Sequence, residues 1–268
     1  MQTLLDQAVA HIISQENFDQ ANFDVAAVVA NLGPDVVEAM LVDLLAEEER
    51  VKFNKFKTYF PDTGRFRREL YPKHLEFFAA GKEYLERLFR AANRVGKSVA
   101  GAYEVTAHLT GQYPHWWEGW TVPRSIAAWA AGDTNETTRD IIQKELLGEV
   151  TWNEAGKKTL NGSGMIPRDC IGRITWKSGV QDMVDTALIK HTSGRWSQLG
   201  LKSFDQGRRV FQGTAKDVIW LDEECPEDVY GECLTRLATT NGRLLTTFTP
   251  LNGRTAVVKS FDAKPQNQ

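Results

Sequence analysis

The sequence is short of cysteine, of long apolar runs and of net charge, and each shortage excludes something. Three cysteines in 268 residues, Cys170, Cys225 and Cys233, form no C-x-x-C pair. They read as reduced cytosolic thiols, so neither a disulfide framework nor a zinc site is expected. No apolar run approaches the roughly 20 residues of a membrane helix. The N-terminus lacks the basic stretch followed by an apolar one that marks a secretory signal. No membrane contact is expected. The net charge of −3 gives no global sign of nucleic-acid binding. What remains is an ordinary globular composition, 42% apolar and 25% charged, long enough for one large domain or one domain with an appendage.

The charge is uneven along the chain. Residues 1–50 carry ten acidic side chains against one basic, Arg50, and residues 51–90 carry ten basic against five acidic. Within residues 1–60, Leu4, Leu5, Ala8, Val9, Ile12 and Ile13 recur at a helical period. Val25, Val28, Val29 and Leu32 suggest a second helix. Gly33-Pro34 stops it and opens a third, striped by Val36, Val37, Met40, Leu41, Leu44 and Leu45. Residues 1–60 are therefore expected to be a helical appendage, with a linker over 51–70 and a second domain over 61–268.

The pattern in that second domain centres on Ala91-Ala92-Asn93-Arg94-Val95-Gly96-Lys97-Ser98. An apolar run ends in a short loop, then Gly-Lys-Ser, then a helical pattern through Val99 to Leu109. That is the shape of a phosphate-binding loop. Backbone N–H groups of Ala92 to Ser98 and the helix N-terminus would cradle phosphate oxygens. Lys97 would reach the β- and γ-phosphates, and the Ser98 hydroxyl would hold Mg²⁺. Ala91 stands where the usual pattern has its first glycine, which requires a negative φ there. Tyr71 to His74, opening a helix just upstream, is a candidate wall for the adenine base.

Downstream, apolar strands alternate with helices. Ile126 to Ala131 reads as a buried strand, and Thr134 or Asn135 caps a helix carrying Ile141, Ile142, Leu146 and Leu147. Residues 148–184 read as irregular. Ala187 to His191 and Leu199 to Phe204 read as strands about the turn Ser193-Gly194. Val218-Ile219-Trp220-Leu221-Asp222-Glu223-Glu224 is an apolar strand ending in three carboxylates. In a parallel sheet that end faces the ligand crevice. Asp222 would bind the Mg²⁺ shell, and Glu223 would polarise the water that attacks the γ-phosphate, with Glu224 as the competing base. Asp228 to Ala238 reads as a helix, and a strand from Arg243 ends in Thr246-Thr247-Phe248-Thr249-Pro250. Hydroxyls at that strand end could sense the γ-phosphate. The expected fold is α/β, a P-loop NTPase of the ASCE or RecA-like kind. Its sheet is mostly parallel and flanked by helices.

Together, Ala92 to Ser98, Phe211-Gln212-Gly213-Thr214, Leu221 to Glu224 and Thr247-Phe248-Thr249-Pro250-Leu251-Asn252-Gly253 resemble the large terminase subunit of tailed bacteriophages. The resemblance covers roughly residues 70–255. It implies an ATP-driven motor that threads double-stranded viral DNA through a portal protein into a procapsid. Such a motor would work in the host cytoplasm as a homo-oligomeric ring, with a small terminase subunit. It makes Lys97 the Walker A lysine, Asp222 the Walker B aspartate and Glu223 the catalytic glutamate. Thr247, Phe248 and Thr249 become the coupling motif, and Arg94 the arginine often found in the family's loop. Arg94 could act in cis on the transferring phosphoryl; Arg139, or alternatively Arg236, could act from a neighbouring subunit. Full-length members add a metal nuclease. Eighteen residues follow Pro250, so the ATPase half without DNA cleavage is expected. Two other readings are a helicase fragment and a scaffold that binds ATP without turning it over. A GTPase is disfavoured because no Asn-Lys-x-Asp base-reading motif is present.

Overall fold

The computed structural model describes residues 34–64, 66–251 and 253–263. The chain divides into two compact units, Met1–Lys52 and Phe53–Gln268. In the first, helix α1 spans Pro34–Phe53, with Pro34 at its start, Asp35 in its positive first turn and Arg50 and Lys52 in its last. None of its side chains is buried, and Leu41, Val42, Leu44 and Leu45 are exposed. The two helices expected over 4–13 and 25–32 lie outside the described residues.

The second unit begins at Phe53, and residues 53–70 are not the linker expected of them. Phe56 and Phe60 are buried in the core. The Phe56 ring stacks on Tyr103 at 4.5 Å, and Phe60 meets Tyr71, Phe78 and Tyr103 edge-on. Burying two such rings offsets the polarity of the surrounding sequence.

A seven-stranded sheet organises this unit. Its strands are β1 (Glu86–Arg90), β2 (Ala127–Gly132), β5 (Ile171–Trp176), β6 (Val184–Lys190), β7 (Trp196–Ser203), β8 (Val218–Asp222) and β9 (Arg243–Phe248), in the order β1-β9-β8-β2-β7-β6-β5. The pairings from β1 to β7 are parallel; β7–β6 and β6–β5 are antiparallel. A separate hairpin joins β3 (Val150–Trp152) to β4 (Lys158–Leu160). Residues 148–184 therefore contain three strands, not the irregular stretch expected.

Helices cover both faces of the parallel part, which is why β8 and β9 are buried at every position. On one face, Ala128, Ala130, Val218, Trp220 and Leu245 pack with α3 (Lys97–Thr110) and α2 (Pro72–Ala80). On the other, Trp129, Ala131, Ile219, Leu221, Leu244 and Phe248 pack with α4 (Glu227–Leu237) and α5 (Ala256–Ala263). The odd–even alternation of these residues is the two-residue period of a strand buried on both sides. The architecture is the expected α/β one. Thr134 caps the turn after β2 through a reciprocal bond with Thr137. The following helix passes through a π-helical segment, Thr138–Gln143, in which Ile141 is exposed and Ile142 is buried. Among the described residues, no helix is long and apolar enough to cross a membrane.

Candidate active site

The phosphate loop leaves β1 at Arg90 and enters α3 at Lys97. Gly96 takes φ 83° at the helix N-cap and Arg94 takes φ 63°. Two left-handed residues so close together fold the loop back over the helix start, and glycine meets that demand without steric cost. Ala91 is not among the residues of positive φ, so the missing first glycine costs nothing here.

Parallel pairing brings three strand ends to this loop. Asp222 of β8 lies opposite Thr247 of β9, and Thr247 lies opposite Phe89 of β1. The Ser98 hydroxyl stands 3.0 and 2.9 Å from the two carboxylate oxygens of Asp222. The buried Lys97 ammonium donates to the Ala92 carbonyl at 2.7 Å and to the Thr249 hydroxyl at 2.8 Å. Thr249 in turn reaches the Ala91 carbonyl and the Asn93 side-chain oxygen, each at 2.8 Å. The loop lysine, the serine and the strand-end aspartate thus meet at one sheet edge.

Burial pushes the Asp222 carboxyl up to about 6, against the hydrogen bonds from Thr247 and Ser98 and the nearby Lys97 charge. Glu223 is exposed and takes φ 84°, a strained backbone for a residue with a Cβ. Its amide donates to the Thr247 carbonyl at 2.9 Å, which holds the residue where β8 stops. Desolvation raises its carboxyl above the usual range; Lys97 opposes that and Asp133 adds to it. Glu224 turns away and accepts a hydrogen bond from Thr255.

The three residues after β9's midpoint separate by strand alternation. Phe248 is buried in the opposite core, Thr249 faces the loop lysine, and Thr247 faces Asp222. The Thr247 hydroxyl donates to Asp222 at 2.6 Å and accepts from the Trp220 indole at 2.7 Å. The three residues therefore do not share one role by position. Trp220 gave no signal in the sequence beyond its place in an apolar strand.

Arg94 sits in the exposed loop. Arg139 makes its contacts elsewhere, with Asp140 at 2.7 Å and the Gln181 carbonyl at 3.2 Å. Arg236 pairs with Glu232 at 3.0 Å. Phe211 is buried edge-on to Trp129, while Gln212 to Thr214 are exposed.

Upstream, His74 is buried against the loop, where a Cβ on Gly96 would lie 3.1 Å from its Nε2. Burial lowers its basicity, opposed by hydrogen bonding with the Gly96 and Val95 backbone. An open cavity of about 670 Å³ lies here, lined by His74, Phe77, Phe89 and Val95 among others. The Phe77 and Phe89 rings stack at 5.1 Å.

The donor set suits a small hard cation. Among the described residues there is no cluster of three or more His, Cys, Asp or Glu that could cage a metal. One hydroxyl and one carboxylate side by side match Mg²⁺, which takes one or two protein oxygens and fills its octahedron with water and phosphate.

Residues 88–266 match the family described as terminase large subunit, T4likevirus-type, N-terminal. The terminase large subunit of Salmonella phage P22 is 34% identical over 258 residues, covering 89% of this chain and 48% of that protein. The chain thus spans about half the length of that curated relative. Among solved structures, a mutant of the Thermus phage P74-26 large terminase ATPase domain aligns with TM-score 0.39 at 16% identity, covering 63% of this chain and 61% of that one. The large terminase of the thermophilic bacteriophage D6E, in complex with ADP, aligns with TM-score 0.42 at 16% identity, covering 66% and 37%. By its sequence match over most of its length, the chain belongs to the terminase large-subunit family.

Proposed function

We propose that this chain is an ATP-hydrolysing motor unit that drives double-stranded viral DNA through a portal into a procapsid. The observation that supports this most is the meeting of Lys97, Ser98 and Asp222 at one sheet edge beside a left-handed loop. In this reading the N–H groups of Ala92 to Ser98 receive the phosphates of ATP. The Lys97 ammonium exchanges its present oxygen partners for β- and γ-phosphate oxygens. Mg²⁺, held by Ser98 directly and by Asp222 through water, would neutralise charge on those oxygens. Glu223 orients and polarises the attacking water. The cavity beside His74, Phe77 and Phe89 takes the adenine ring. Arg94 stabilises the transferring phosphoryl in cis, and Arg139 is the arginine proposed to act from a neighbouring subunit.

The family supplies the rest of the proposal: a homo-oligomeric ring in the host cytoplasm, docked on the procapsid, with DNA, portal protein and small terminase subunit as partners. The unit that begins at Phe53 is the ATPase part, and helix α1 belongs to the N-terminal appendage. The test is steady-state ATP hydrolysis with Mg²⁺, with and without linear duplex DNA. Hydrolysis stimulated by DNA and abolished by Lys97→Ala supports the motor. ATP binding without turnover, unmoved by DNA or portal, supports a scaffold instead.

A further inference from the structure

Trp220 and Thr247 form a relay behind the metal-binding carboxylate. The indole N–H can only donate. At 2.7 Å it occupies the Thr247 oxygen as acceptor, so the single hydroxyl hydrogen of Thr247 must point onward, to Asp222 Oδ1 at 2.6 Å. Trp220 and Thr247 are fully buried and Asp222 is 4% exposed, so no water competes for these bonds. The ring packs tightly against α3. It lies against Gly101 of α3, where a Cβ would be 2.3 Å from Trp220 Nε1. The helix that carries Ser98 at its start therefore also clamps the indole. The resulting circuit runs Ser98, Asp222, Thr247, Trp220 and back to α3.

We propose that Thr247 and Trp220 are positioning residues that orient the Asp222 carboxylate for Mg²⁺, and that Thr247 does not contact the γ-phosphate. This rests on the metal–nucleotide reading above. Oδ1 receives the Thr247 hydroxyl at 2.6 Å, and the Ser98 hydroxyl lies 3.0 Å from Oδ1 and 2.9 Å from Oδ2, so Oδ2 is the oxygen left without a bond from β9. Thr249, on the same side of β9 but beyond its end, is the hydroxyl that faces Lys97. Hydrogen-bond partners of this kind typically change metal affinity by about 10- to 100-fold when removed.

The experiment measures the affinity of fluorescent mant-ADP across an Mg²⁺ titration and in EDTA, alongside thermal unfolding. Thr247→Val keeps the shape and removes the hydroxyl; Thr247→Ser restores it; Trp220→Phe removes the indole donor. Thr247→Val should raise the Mg²⁺ midpoint about tenfold, with nucleotide affinity in EDTA unchanged. Thr247→Ser should return the midpoint close to wild type, and Trp220→Phe should move it in the direction of Thr247→Val. A wild-type midpoint in Thr247→Val overturns the proposal, as does equal impairment of the Val and Ser variants or equal loss with and without Mg²⁺. Should Thr247→Val fail to fold, a wild-type midpoint in Trp220→Phe overturns it. If wild-type affinity itself ignores Mg²⁺, the metal reading of the site fails, a different outcome from any of these.

Discussion

The Lys97 ammonium donates to the Thr249 hydroxyl at 2.8 Å, and this ties the phosphate loop to the end of β9. The Ala92 carbonyl is the second acceptor of the same ammonium, at 2.7 Å. Thr249 also fixes the loop through Ala91 and Asn93. Thr249→Val removes all of these hydroxyl bonds but leaves the Ala92 carbonyl. A small displacement of a group that stabilises a transition state can cost about 100-fold in rate. Single-turnover hydrolysis by Thr249→Val should therefore fall by at least about tenfold, while ATP affinity changes little. Unaltered turnover would remove Thr249 from the site.

Glu223 and Glu224 are adjacent in sequence and opposite in environment. Glu223 is exposed at the strand end near Lys97 and Asp133, whereas Glu224 is bound to Thr255 at the start of α5. Glu223→Gln should bind ATP normally and hydrolyse it at least about 100-fold more slowly, since general-base catalysis contributes about 10²–10⁴-fold. Glu224→Gln should retain most of its turnover. The backbone gives a second readout. A non-glycine residue at φ 84° carries strain of order 1–3 kcal/mol. Glu223→Gly should therefore raise the unfolding free energy by about 1 kcal/mol while abolishing hydrolysis. If urea titration shows no gain, the strained backbone is not under tension; if Glu224→Gln is the dead variant, the base is misassigned.

Much of this site is legible in the sequence for a physical reason. Central parallel strands are buried on both faces, so β2 and most of β8 read as apolar runs, and the Asp222 carboxylate and the Thr247 hydroxyl near the ends of β8 and β9 mark the crevice. Gly96-Lys97-Ser98 marks the loop because an apolar run precedes it and a helical pattern follows it. The edge strand β5 was not legible. Its pairing with β6 shifts register twice, between Ile171 and Ile174 and again at Thr175 and Trp176, so its side chains do not alternate cleanly. Residues 53–70 read as a linker because Phe56 and Phe60, which the core buries, sit among basic and turn-forming residues. The relay through Thr247 was out of reach altogether. It depends on β8 and β9 lying in register, Asp222 opposite Thr247, which no local pattern encodes.

A second buried network predicts how the fold responds to acid. Arg87 of β1 grips Glu104 of α3 through two bonds, at 2.6 and 3.0 Å, and also holds the Phe77 carbonyl of α2 at 2.6 Å. Glu104 Oε1 is 3.2 Å from His108 Nε2, and His108 Nδ1 is 3.0 Å from the Tyr113 hydroxyl, which accepts from the Val122 amide at 3.0 Å. A carboxylate only accepts, so Nε2 carries the proton and Nδ1 accepts from Tyr113. His108 is fully buried. Burial lowers its basicity, and Arg87 and Arg243 outside the carboxylate add to this against the pull of Glu104. For Glu104, burial works upward, but Arg87 and His108 hold it below the usual carboxylate range.

Both shifts have the same sign for stability. His108 takes up a proton more readily unfolded than folded, so stability falls as pH drops below about 6.5. Glu104 likewise favours the unfolded state once pH passes below about 4.3 and its unfolded form protonates. His74 and His191 are also lowered, first by burial, and add to the upper window. His108→Gln should therefore flatten, not abolish, the slope of unfolding free energy between pH 6.5 and 5. The decrease should be close to one proton's worth. Glu104→Gln leaves Arg87 buried without its counter-charge and should cost about 3–5 kcal/mol at neutral pH. Urea titrations across pH measure both. A His108→Gln slope equal to wild type would mean that His108 takes up its proton equally well in the folded and unfolded chain, and that burial does not lower its basicity.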